Sequence, residues 1–400
     1  MRIATCTPVD FDADTHFFGR DSGLMCRGFQ AAGHDCVVIM PGKPTTNDAP
    51  DLVRTTRENL ENPAWWKSLE IEAVLLYAWG DPRHLQIAKA IRKAGIFLIQ
   101  NLDSSGIDSP YADFRRWTRS LAGMTRGPQP LLARVRLIAR GVRDFLPALY
   151  ERERLAMMDE SDLVATVSPP AGESIKSYAR ALRHPSVAAK VITAPHPVSP
   201  QFSHTGQPKQ NRVLCVGRWL PSDHHQKDPE TLIRVALGFL KKHEDWTFEI
   251  IGRGAGALAD GIQGQADHLK NRLILTEQLD RSELRDHYLI SRILFCPSRY
   301  ESFHISSAEA LCCGCSIVVA AHPLLASTAW FTIHDSGTLA KSRTVASLTQ
   351  ALLEEVAAWE EGRRDAMHIS TAWSDTLHSN QVASGIVTAM GMRLNASKTC

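Results

Sequence analysis

The sequence lacks several features that would each point to a particular class of protein. No apolar run approaches the roughly 20 residues that a membrane-spanning helix needs. The first residues run directly into an apolar strand, without the apolar core and cleavage site of a signal peptide. There is no short internal repeat and no low-complexity tract. We therefore expect a globular protein of the cytoplasm.

A strong net charge of either sign is also missing. The 400 residues include 45 Lys and Arg and 43 Asp and Glu, which leaves a formal net charge of +2. This balance gives no global electrostatic argument for binding nucleic acid, and we expect none. A chain of this length exceeds what one hydrophobic core usually organises, so we expect two domains.

The cysteines do not form a disulfide or zinc pattern. There are nine, an odd number at irregular spacings, which favours a reducing compartment. Cys312, Cys313 and Cys315 lie close together, but no second Cys or His cluster follows at zinc spacing. We expect these three to pack as small residues beside a helix-to-strand turn, and we predict no metal site.

Strands and helices alternate from the start of the chain. A strand at Arg2–Thr7 is followed by the glycine loop Gly19-Arg-Asp-Ser-Gly23, a helix ending near Gly33-His34, and a strand at Cys36–Met40. This βαβ unit places glycines where the backbone can approach a ligand closely. The stretch Asp10–Asp14 contains D-x-D twice, but it is a weak metal signal and equally fits a solvated loop or part of an acceptor site.

One segment of the first half is rich in arginine. Ten arginines lie between residues 111 and 154, interleaved with Trp117, Val135, Ile138, Phe145 and other apolar residues. A basic amphipathic helix of this kind suits either an anionic membrane surface or a groove for an acidic acceptor. A solvated face over an apolar stripe is an equally good explanation, so peripheral membrane contact remains one of three alternatives.

Two stretches suggest where the domains divide. Pro195-His-Pro-Val-Ser-Pro200 breaks regular structure, and residues 201–211 are polar. We therefore predict an N-terminal domain over 1–200 and a second over 201–370, followed by a C-terminal helix and tail over 371–400.

The second half contains two cations near the ends of predicted elements. Gly217-Arg218 ends a strand, and Lys227 comes just before a helix that we expect Asp228 to cap, with Pro229 at its first position. Arg218 and Lys227 could converge on one diphosphate, as a divalent metal does elsewhere. Alternatively, both are surface charges. A second glycine turn, Gly252-Arg-Gly254, follows the next strand.

The central motif of this half is the stretch from Cys296 to Ala320. It reads strand, loop, helix, strand, with Glu301 in the loop and Glu309 in the helix. The loop N–H groups and the helix N-terminus would favour an anion, and carboxylates would suit sugar hydroxyls. Alternatively, Ser306-Ser-Ala-Glu309 is a capping box and Glu301 is an ordinary loop acid.

Taken together, these motifs resemble those of a known family. Gly217-Arg218, Lys227, Gly252-Arg-Gly254 and Glu301-Ser-Phe-x5-Glu309 resemble the signature set of retaining GT-B glycosyltransferases of glycosyltransferase family 4, group 1. The resemblance implies an α/β protein with two Rossmann-like, doubly wound domains that face each other across a cleft. It further implies that the last helix crosses back to the first domain.

The resemblance also implies a reaction and its participants. A sugar would pass with retention, and without a metal or cofactor, from a nucleotide-diphosphate sugar, foremost a UDP- or GDP-sugar. The acceptor would be a saccharide, a lipid-linked molecule or a small molecule, held by the N-terminal domain.

Individual residues receive roles by the same resemblance. Arg218 and Lys227 would neutralise the diphosphate, Glu301 would contact the donor sugar, and Glu309 would bind the ribose hydroxyls. The other implied donor-binding residues are Gly217, Gly252, Gly254, Ser302, Phe303, His304, Ile305, Gly19 and Gly23.

The sequence departs from the family pattern at four places. No histidine follows the strand that ends near Asp103, and Pro195-His-Pro197 replaces an Asn-Gly turn. Glu277 stands where a glycine is common, and His304 where a proline or small residue is usual. These departures leave alternatives open: an inactive nucleotide-sugar-binding partner subunit, or a GT-B-fold nucleotide-sugar epimerase or phosphorylase.

Overall fold

The computed structural model describes residues 1–10, 17–46, 48–104, 106–125, 131–145 and 149–398. The chain forms two compact units. Unit 1 comprises Met1–Pro197 and His378–Cys400, and unit 2 comprises Val198–Leu377. The predicted domain limits were 200 and 370.

Unit 1 is organised around a seven-stranded parallel sheet in the order β3-β2-β1-β4-β5-β6-β7. Its strands are β1 (Arg2–Cys6), β2 (Asp35–Pro41), β3 (Leu52–Thr55), β4 (Ala73–Tyr77), β5 (Phe97–Asn101), β6 (Leu163–Thr166) and β7 (Val191–Thr193). Because the chain proceeds outward from β1 in one direction and then from β4 in the other, the strand order reverses between β1 and β4.

Helices connect these strands and cover both faces of the sheet. They are α1 (Asp21–Ala31), α2 (Arg57–Leu60), α3 (Pro63–Ser68), α4 (Leu85–Lys93), α5 (Phe114–Thr125), α6 (Leu131–Asp144), α7 (Leu149–Glu160), α8 (Pro169–Ala181) and α9 (Pro185–Ala188). The arginine-rich segment therefore contains three helices rather than the single amphipathic helix that we predicted.

The two faces of this sheet follow from the alternation of side chains along each strand. Leu75 and Ile99 face a core that includes Phe29 of α1. Their neighbours Val74 and Leu98 face the opposite core. The alternation also decides which polar residues share a face where the strands end.

Unit 2 is organised around a six-stranded parallel sheet in the order β10-β9-β8-β11-β12-β13. Its strands are β8 (Gln210–Val216), β9 (Thr247–Ile251), β10 (Leu273–Thr276), β11 (Ser291–Phe295), β12 (Ser316–Ala320) and β13 (Gly337–Ala340). Its helices are α10 (His224–Lys227), α11 (Pro229–Leu240), α12 (Asp267–Lys270), α13 (Arg281–Ile290), α14 (Ile305–Cys312), α15 (Ala326–Ala329), α16 (Val345–Glu360) and α17 (Ala366–Leu377).

The last helix, α18 (Ser379–Lys398), belongs to unit 1, where it packs on α1. The contact depends on a glycine, because a Cβ built on Gly28 would lie 2.3 Å from the carbonyl oxygen of Ser379. Among the helices of the described residues, none combines the length and apolar character required to cross a bilayer. The predicted α/β class with two Rossmann-like, doubly wound units is confirmed.

The start of α11 differs from the sequence prediction. Asp228 has a left-handed backbone, with φ of +53°, and its side chain makes no cap hydrogen bond. Instead its carboxylate oxygens lie 3.0 Å from Arg299 and 2.6 Å from Arg343. The predicted N-cap position of Asp228 and the first helical position of Pro229 are thus confirmed, but the Asp228 side chain bonds to two arginines and does not cap the helix.

Candidate functional site

The predicted site residues of unit 2 lie where neighbouring strands end. Gly217 and Arg218 follow β8, Gly252 follows β9, and Glu301 lies between β11 and α14. These strands are adjacent in the order β9-β8-β11, and the strand order reverses between β8 and β11. Open parallel sheets bind ligands outside the carboxyl ends of their strands at such a reversal.

Lys227 and Glu301 form a direct ion pair at this edge. The ammonium Nζ lies 2.6 Å from Glu301 Oε1, and the two side chains are only 12% and 7% exposed. Gln226 Nε2 donates to the other carboxylate oxygen at 3.2 Å. The family resemblance implies a diphosphate contact for Lys227 and a sugar contact for Glu301, and both roles stay predictions. In the structure the two charges neutralise each other.

The environment of Glu301 keeps it ionised. Burial raises the pKa of its carboxyl, but His304, when protonated, and Lys227 outweigh that effect and hold the pKa below its ordinary value. Burial also lowers the pKa of His304 to about 4, so this imidazole is neutral near pH 7. His304 has a left-handed backbone, with φ of +70°, and its Nδ1 lies 2.6 Å from Ser307 Oγ.

Glu309 lies one helical turn into α14 and is buried, with 4% of its surface exposed. Arg281 of α13 donates to its Oε1 at 2.9 Å, and the Tyr288 hydroxyl donates to its Oε2 at 3.4 Å. Burial raises the pKa of Glu309, although Arg281 opposes the effect. The capping-box alternative is wrong, because the helix begins at Ile305 and Glu309 contacts a neighbouring helix.

Arg218 is held apart from the Lys227–Glu301 pair. Its side chain is 67% exposed and its guanidinium lies 3.3 Å from Asp223 Oδ1. The structure therefore joins Lys227 to Glu301 but pairs Arg218 with another carboxylate, and the predicted convergence of the two cations on one diphosphate stays a prediction.

Glycines at the ends of β8 and β9 allow the backbones of the two following loops to approach each other closely. A Cβ on Gly252, whose φ is +132°, would lie 1.8 Å from the carbonyl oxygen of Gly217. Gly254 also has a positive φ, of +87°. Only glycine fits such positions without displacing the neighbouring strand end.

The turn that follows β9 already carries an anion. The backbone N–H groups of Gly254 and Gly256 each donate to the Glu277 carboxylate, both at 2.9 Å. These two bonds hold the pKa of Glu277 below its ordinary value. The sequence marked Glu277 only as a departure from a common glycine, so this contact was missed.

The residues that follow Glu301, up to the start of α14, differ in which of their atoms a ligand could reach. Ser302 and Ile305 are exposed, whereas Phe303 is buried with its ring centroid 5.0 Å from that of Phe331. The Phe303 side chain thus belongs to the core, and only its backbone is available to a ligand. A direct contact of these residues with a donor stays a prediction.

Gly19 and Gly23 lie in unit 1, in a 3-10 helix at Phe17–Gly19 and within α1 respectively. A Cβ on Gly23 would lie 2.5 Å from the carbonyl oxygen of Phe17, so this glycine lets the turn pack on the helix. Phosphate contact by the two glycines stays a prediction, and residues 11–14 of the D-x-D stretch lie outside the described residues.

A second polar cluster in unit 1 was not predicted. The imidazole Nε2 of His196 is hydrogen-bonded to Asp103, and Trp79 Nε1 donates to the same carboxylate at 3.1 Å. Two departures of the sequence from the family pattern could have pointed to this cluster: the missing histidine after Asp103 and the histidine at position 196. The structure brings these two positions together.

Three side chains of unit 2 lie close enough together to be considered as metal ligands. Among the described residues, Cys296, Glu301 and His304 place one ligand atom each within 4.8 Å of the others. However, burial raises the pKa of Cys296 to about 12, so its thiol stays protonated near pH 7. The Glu301 carboxylate is already ion-paired with the Lys227 ammonium. A metal ion would have to displace that ammonium, so this ligand set fits a cation poorly, and metal independence stays a prediction.

The predicted cysteine cluster has a packing role. Cys312, Cys313 and Cys315 are buried, as are all eight cysteines of the described residues. The ammonium of the half-buried Lys209 donates to the carbonyl oxygen of Cys313 at 2.7 Å and lies 3.7 Å from Cys315 Sγ. The local partner of this cluster is thus a lysine of the protein.

The two Rossmann-like units have the GT-B fold. The solved structure of Anabaena Alr3699/HepE in complex with UDP has a TM-score of 0.62 and 13% identity, covering 98% of this chain and 100% of that one. The lipopolysaccharide outer core galactosyltransferase WaaB, in its apo form, has a TM-score of 0.61 and 13% identity over 98% and 100%. At such low identity these structures show the fold alone.

Two sequence comparisons each cover part of the chain. Residues 201–367 match the family described as Glycosyl transferases group 1. The chain is also 24% identical, over 162 residues, to the lipopolysaccharide core biosynthesis mannosyltransferase LpcC of Rhizobium leguminosarum bv. viciae. That match covers 39% of this chain and 44% of LpcC, so it spans less than half of either protein.

Proposed function

We propose that this protein is a retaining, metal-independent glycosyltransferase that moves a sugar from a nucleotide-diphosphate sugar to a saccharide, lipid-linked or small-molecule acceptor. The observation that carries the proposal is the Lys227–Glu301 ion pair, with 2.6 Å between Nζ and Oε1, at the strand reversal of unit 2. The match of residues 201–367 to the group 1 glycosyl transferases supports the same conclusion.

The pair supplies the two charges that a sugar diphosphate requires. A diphosphate next to Lys227 would draw the ammonium away from Glu301, because phosphate carries more negative charge than a carboxylate. Glu301 would then be released toward the sugar hydroxyls, which carboxylates bind well. When the donor binds, Lys227 would thus exchange Glu301 for the diphosphate, and the same step would free the Glu301 carboxylate for the sugar.

Rate acceleration would come from stabilising the leaving group. As the anomeric C–O bond breaks, negative charge grows on the diphosphate, and Lys227 and Arg218 offset it without a metal ion. The acceptor would attack from the face on which the phosphate departs, which retains the anomeric configuration. A double displacement by two carboxylates is less suitable, because Glu309 is bonded to Arg281 and only Glu301 is assigned to the sugar.

The nucleoside would contact the remaining residues of the edge. Glu309 would accept from the ribose hydroxyls, with Arg281 fixing its orientation, and the glycine turns at Gly217, Gly252 and Gly254 would admit the phosphates. UDP and GDP are the first nucleotides to consider, and the UDP of HepE favours UDP. The galactosyl and mannosyl transfer named for WaaB and LpcC makes a saccharide acceptor the first class to examine.

We also propose peripheral contact of unit 1 with the inner face of a membrane. Val135, Ile138, Val142 and Phe145 recur along α6 and its end and are 49–68% exposed. Exposed arginines, Arg115, Arg119 and Arg143, lie on the same helices, α5 and α6. Apolar residues bordered by cations suit the boundary between headgroups and acyl chains of an anionic bilayer.

Calorimetric titration of the metal-free protein with UDP, GDP, ADP and CMP tests the transferase proposal. Binding of one nucleoside diphosphate, weakened about tenfold or more by Lys227→Ala, is the expected result. The same titration on Lys241→Ala, an exposed lysine after α11, is the matched control. No binding of any nucleotide would overturn the donor site. Nucleotide binding without transfer to any acceptor would point to an inactive subunit, and conversion of the donor without an acceptor to an epimerase.

A further inference from the structure

One arginine connects three segments at the carboxyl edge of the unit 2 sheet. Arg343 lies between β13 and α16, and its side chain is 19% exposed. Its Nη2 lies 2.6 Å from Asp228 Oδ2, just before α11. Its Nε and Nη2 also donate to the carbonyl oxygens of Ser298 and Pro297, both at 3.2 Å. A single guanidinium thus joins the segments that follow β8, β11 and β13.

The first of these segments contains the residue next to Lys227. Asp228 has a φ of +53°, in the left-handed region that non-glycine residues seldom adopt, and its side chain is 5% exposed. Its carboxylate is held by Arg343 and, at 3.0 Å, by Arg299. Such a backbone conformation persists only where the surroundings enforce it. Because Asp228 is bonded to Lys227 along the chain, the two arginines also fix the backbone that carries the lysine.

The second segment leads to Glu301. Ser298, whose carbonyl oxygen accepts from Arg343, precedes Glu301 by three residues. The backbone N–H of Arg299 donates to the carbonyl oxygen of Gln226 at 2.8 Å, which ties this segment to the first one. Arg343 therefore bonds to the chain one residue after the lysine of the ion pair and three residues before its glutamate.

The backbone of Arg343 is held by the start of α16. Thr344 is the N-cap of this helix, and its hydroxyl accepts from the backbone N–H of Ser347 at 3.3 Å. The backbone N–H of Ser342 donates to Ser347 Oγ at 3.1 Å. The residues on both sides of Arg343 are thus bonded to one helical turn. The position of the arginine depends on α16, which contains neither member of the ion pair.

We propose that Arg343 is a positioning residue that sets the separation of Lys227 and Glu301. It acts through Asp228 on one side and through the carbonyl oxygen of Ser298 on the other. The inference rests on the proposed function, because that separation would govern how readily Lys227 leaves Glu301 for a diphosphate. The strength of a buried ion pair depends strongly on its geometry, and the rigid guanidinium fork suits this task. Arg343 acts on the donor through Lys227 and makes no contact with the donor itself.

A double-mutant cycle tests whether Arg343 acts through Lys227. Calorimetric titrations with UDP and GDP compare Arg343→Met, Lys227→Met and the double variant. Each single variant is expected to weaken nucleotide binding about tenfold, and the double variant should bind no more weakly than Lys227→Met. A further tenfold loss in the double variant would mean that Arg343 acts independently of Lys227, which overturns the proposal. Unchanged affinity of Arg343→Met overturns it as well.

The ionisation of Glu301 provides a second measurement, which needs no ligand. Burial raises the pKa of Glu301, but protonated His304 and Lys227 hold it below its ordinary value. If Arg343→Met lets the Lys227 ammonium move away, the pKa of Glu301 should rise. The pH titration of the Glu301 carboxyl carbon, followed by NMR, measures this change. An unmoved titration in Arg343→Met contradicts the positioning role.

Arg364 supplies a matched control in the same unit. Its side chain is 7% exposed, its Nε lies 2.7 Å from Oε1 of the buried Glu355, and its Nη2 donates to the carbonyl oxygen of Gly337 at 3.2 Å. Like Arg343, it bonds to one buried carboxylate and to the main chain. Gly337 begins β13, however, so this contact lies at the opposite edge of the sheet. Arg364→Met is expected to lower stability but to leave nucleotide affinity and the Glu301 titration unchanged. Equal effects of the two methionine variants on either quantity overturn the proposal.

A milder pair of variants covers the case in which a methionine variant does not fold. Lysine keeps the positive charge beside the carboxylate but lacks the planar fork that bonds two segments at once. Arg343→Lys is expected to weaken nucleotide binding about threefold and to raise the pKa of Glu301, whereas Arg364→Lys should change neither. Equal behaviour of the two lysine variants overturns the proposal. If the wild-type protein binds neither UDP nor GDP, the transferase proposal fails, while the Glu301 titration still decides the role of Arg343.

Discussion

Lys227 and Glu301 neutralise each other across 2.6 Å while both side chains are largely hidden from solvent. Each charge therefore depends on the other for its stability in the folded protein, since an isolated buried charge is strongly destabilising. A ligand that takes over one member must compensate the second. If the proposed donor binds at Lys227, its binding would therefore be coupled to the state of the Glu301 carboxylate.

Variants that lack Lys227 alone, or both Lys227 and Glu301, should show that the pair contributes differently to protein stability and to nucleotide affinity. Lys227→Met is expected to lower the free energy of unfolding by about 3 kcal/mol, because Glu301 is left buried and unpaired. The double variant Lys227→Met with Glu301→Gln should regain most of that stability but not the affinity for the nucleoside diphosphate. Urea unfolding and calorimetry measure the two quantities. Equal stability of the single and double variants would contradict the coupling.

The Glu277 carboxylate occupies backbone N–H groups that a phosphate could use. Glu277→Gln removes a negative charge from the turn at Gly254 and Gly256, so nucleoside diphosphates should bind several-fold more tightly at low salt, with a smaller gain at high salt. Glu244→Gln makes the same change on an exposed residue before β9, at the other edge of the sheet. Calorimetry should show no gain for that control, and a loss of affinity in Glu277→Gln would refute the idea.

The buried His304 should make the folded protein sensitive to mild acid. Burial lowers its pKa to about 4, whereas an unfolded histidine titrates near 6.5. Between these values the unfolded chain binds more protons, so stability present above pH ~6.5 is lost as pH falls toward 4.

A variant isolates this contribution of His304. His304→Asn removes the titrating group, and asparagine tolerates a left-handed backbone. Between pH 6.5 and 5, the wild-type protein should lose about 2 kcal/mol of unfolding free energy more than the variant does. Urea unfolding at the two pH values measures the difference, and parallel losses would show that His304 does not titrate as described.

Tyr77→Phe should stabilise the folded protein. The Tyr77 hydroxyl is buried and has no hydrogen-bond partner among the described residues. Its removal should therefore raise the free energy of unfolding, by about 1 kcal/mol. Thermal or urea unfolding measures the change. Destabilisation by this variant would show that the hydroxyl contributes to the stability of the fold.

The exposed apolar side chains of α6 should control membrane contact. Wild-type protein is expected to sediment with vesicles of anionic phospholipid at low salt, and Ile138→Glu with Val142→Glu should abolish this. Met367→Glu, at another exposed apolar residue, is the control because it lies in unit 2. Equal sedimentation of all three proteins would remove α6 from the proposal.

The sequence predicted well what depends on strand periodicity. Both parallel sheets and the positions of Glu301, Glu309 and the glycine turns at strand ends follow from apolar runs and turn residues. The fold of unit 2 brings these residues to one edge because parallel strands all end there.

Side-chain partners could not be predicted in the same way. Lys227 bonds to Glu301, Glu309 to Arg281, and Asp228 to two arginines rather than to its own helix. These choices depend on side-chain directions across loops, which periodicity does not specify. The Asp103–His196 contact joins residues far apart in the chain, and only two departures from a family pattern pointed to it.

The burial of the thiols has a practical consequence for following this protein in solution. All eight cysteines of the described residues are buried, and Ser302 beside Glu301 is exposed. With Cys400, which lies outside the described residues, replaced by serine, Ser302→Cys would present a single accessible thiol. A fluorophore attached there would report ligand binding near Glu301 by its emission alone, without radioactive sugars or a known acceptor.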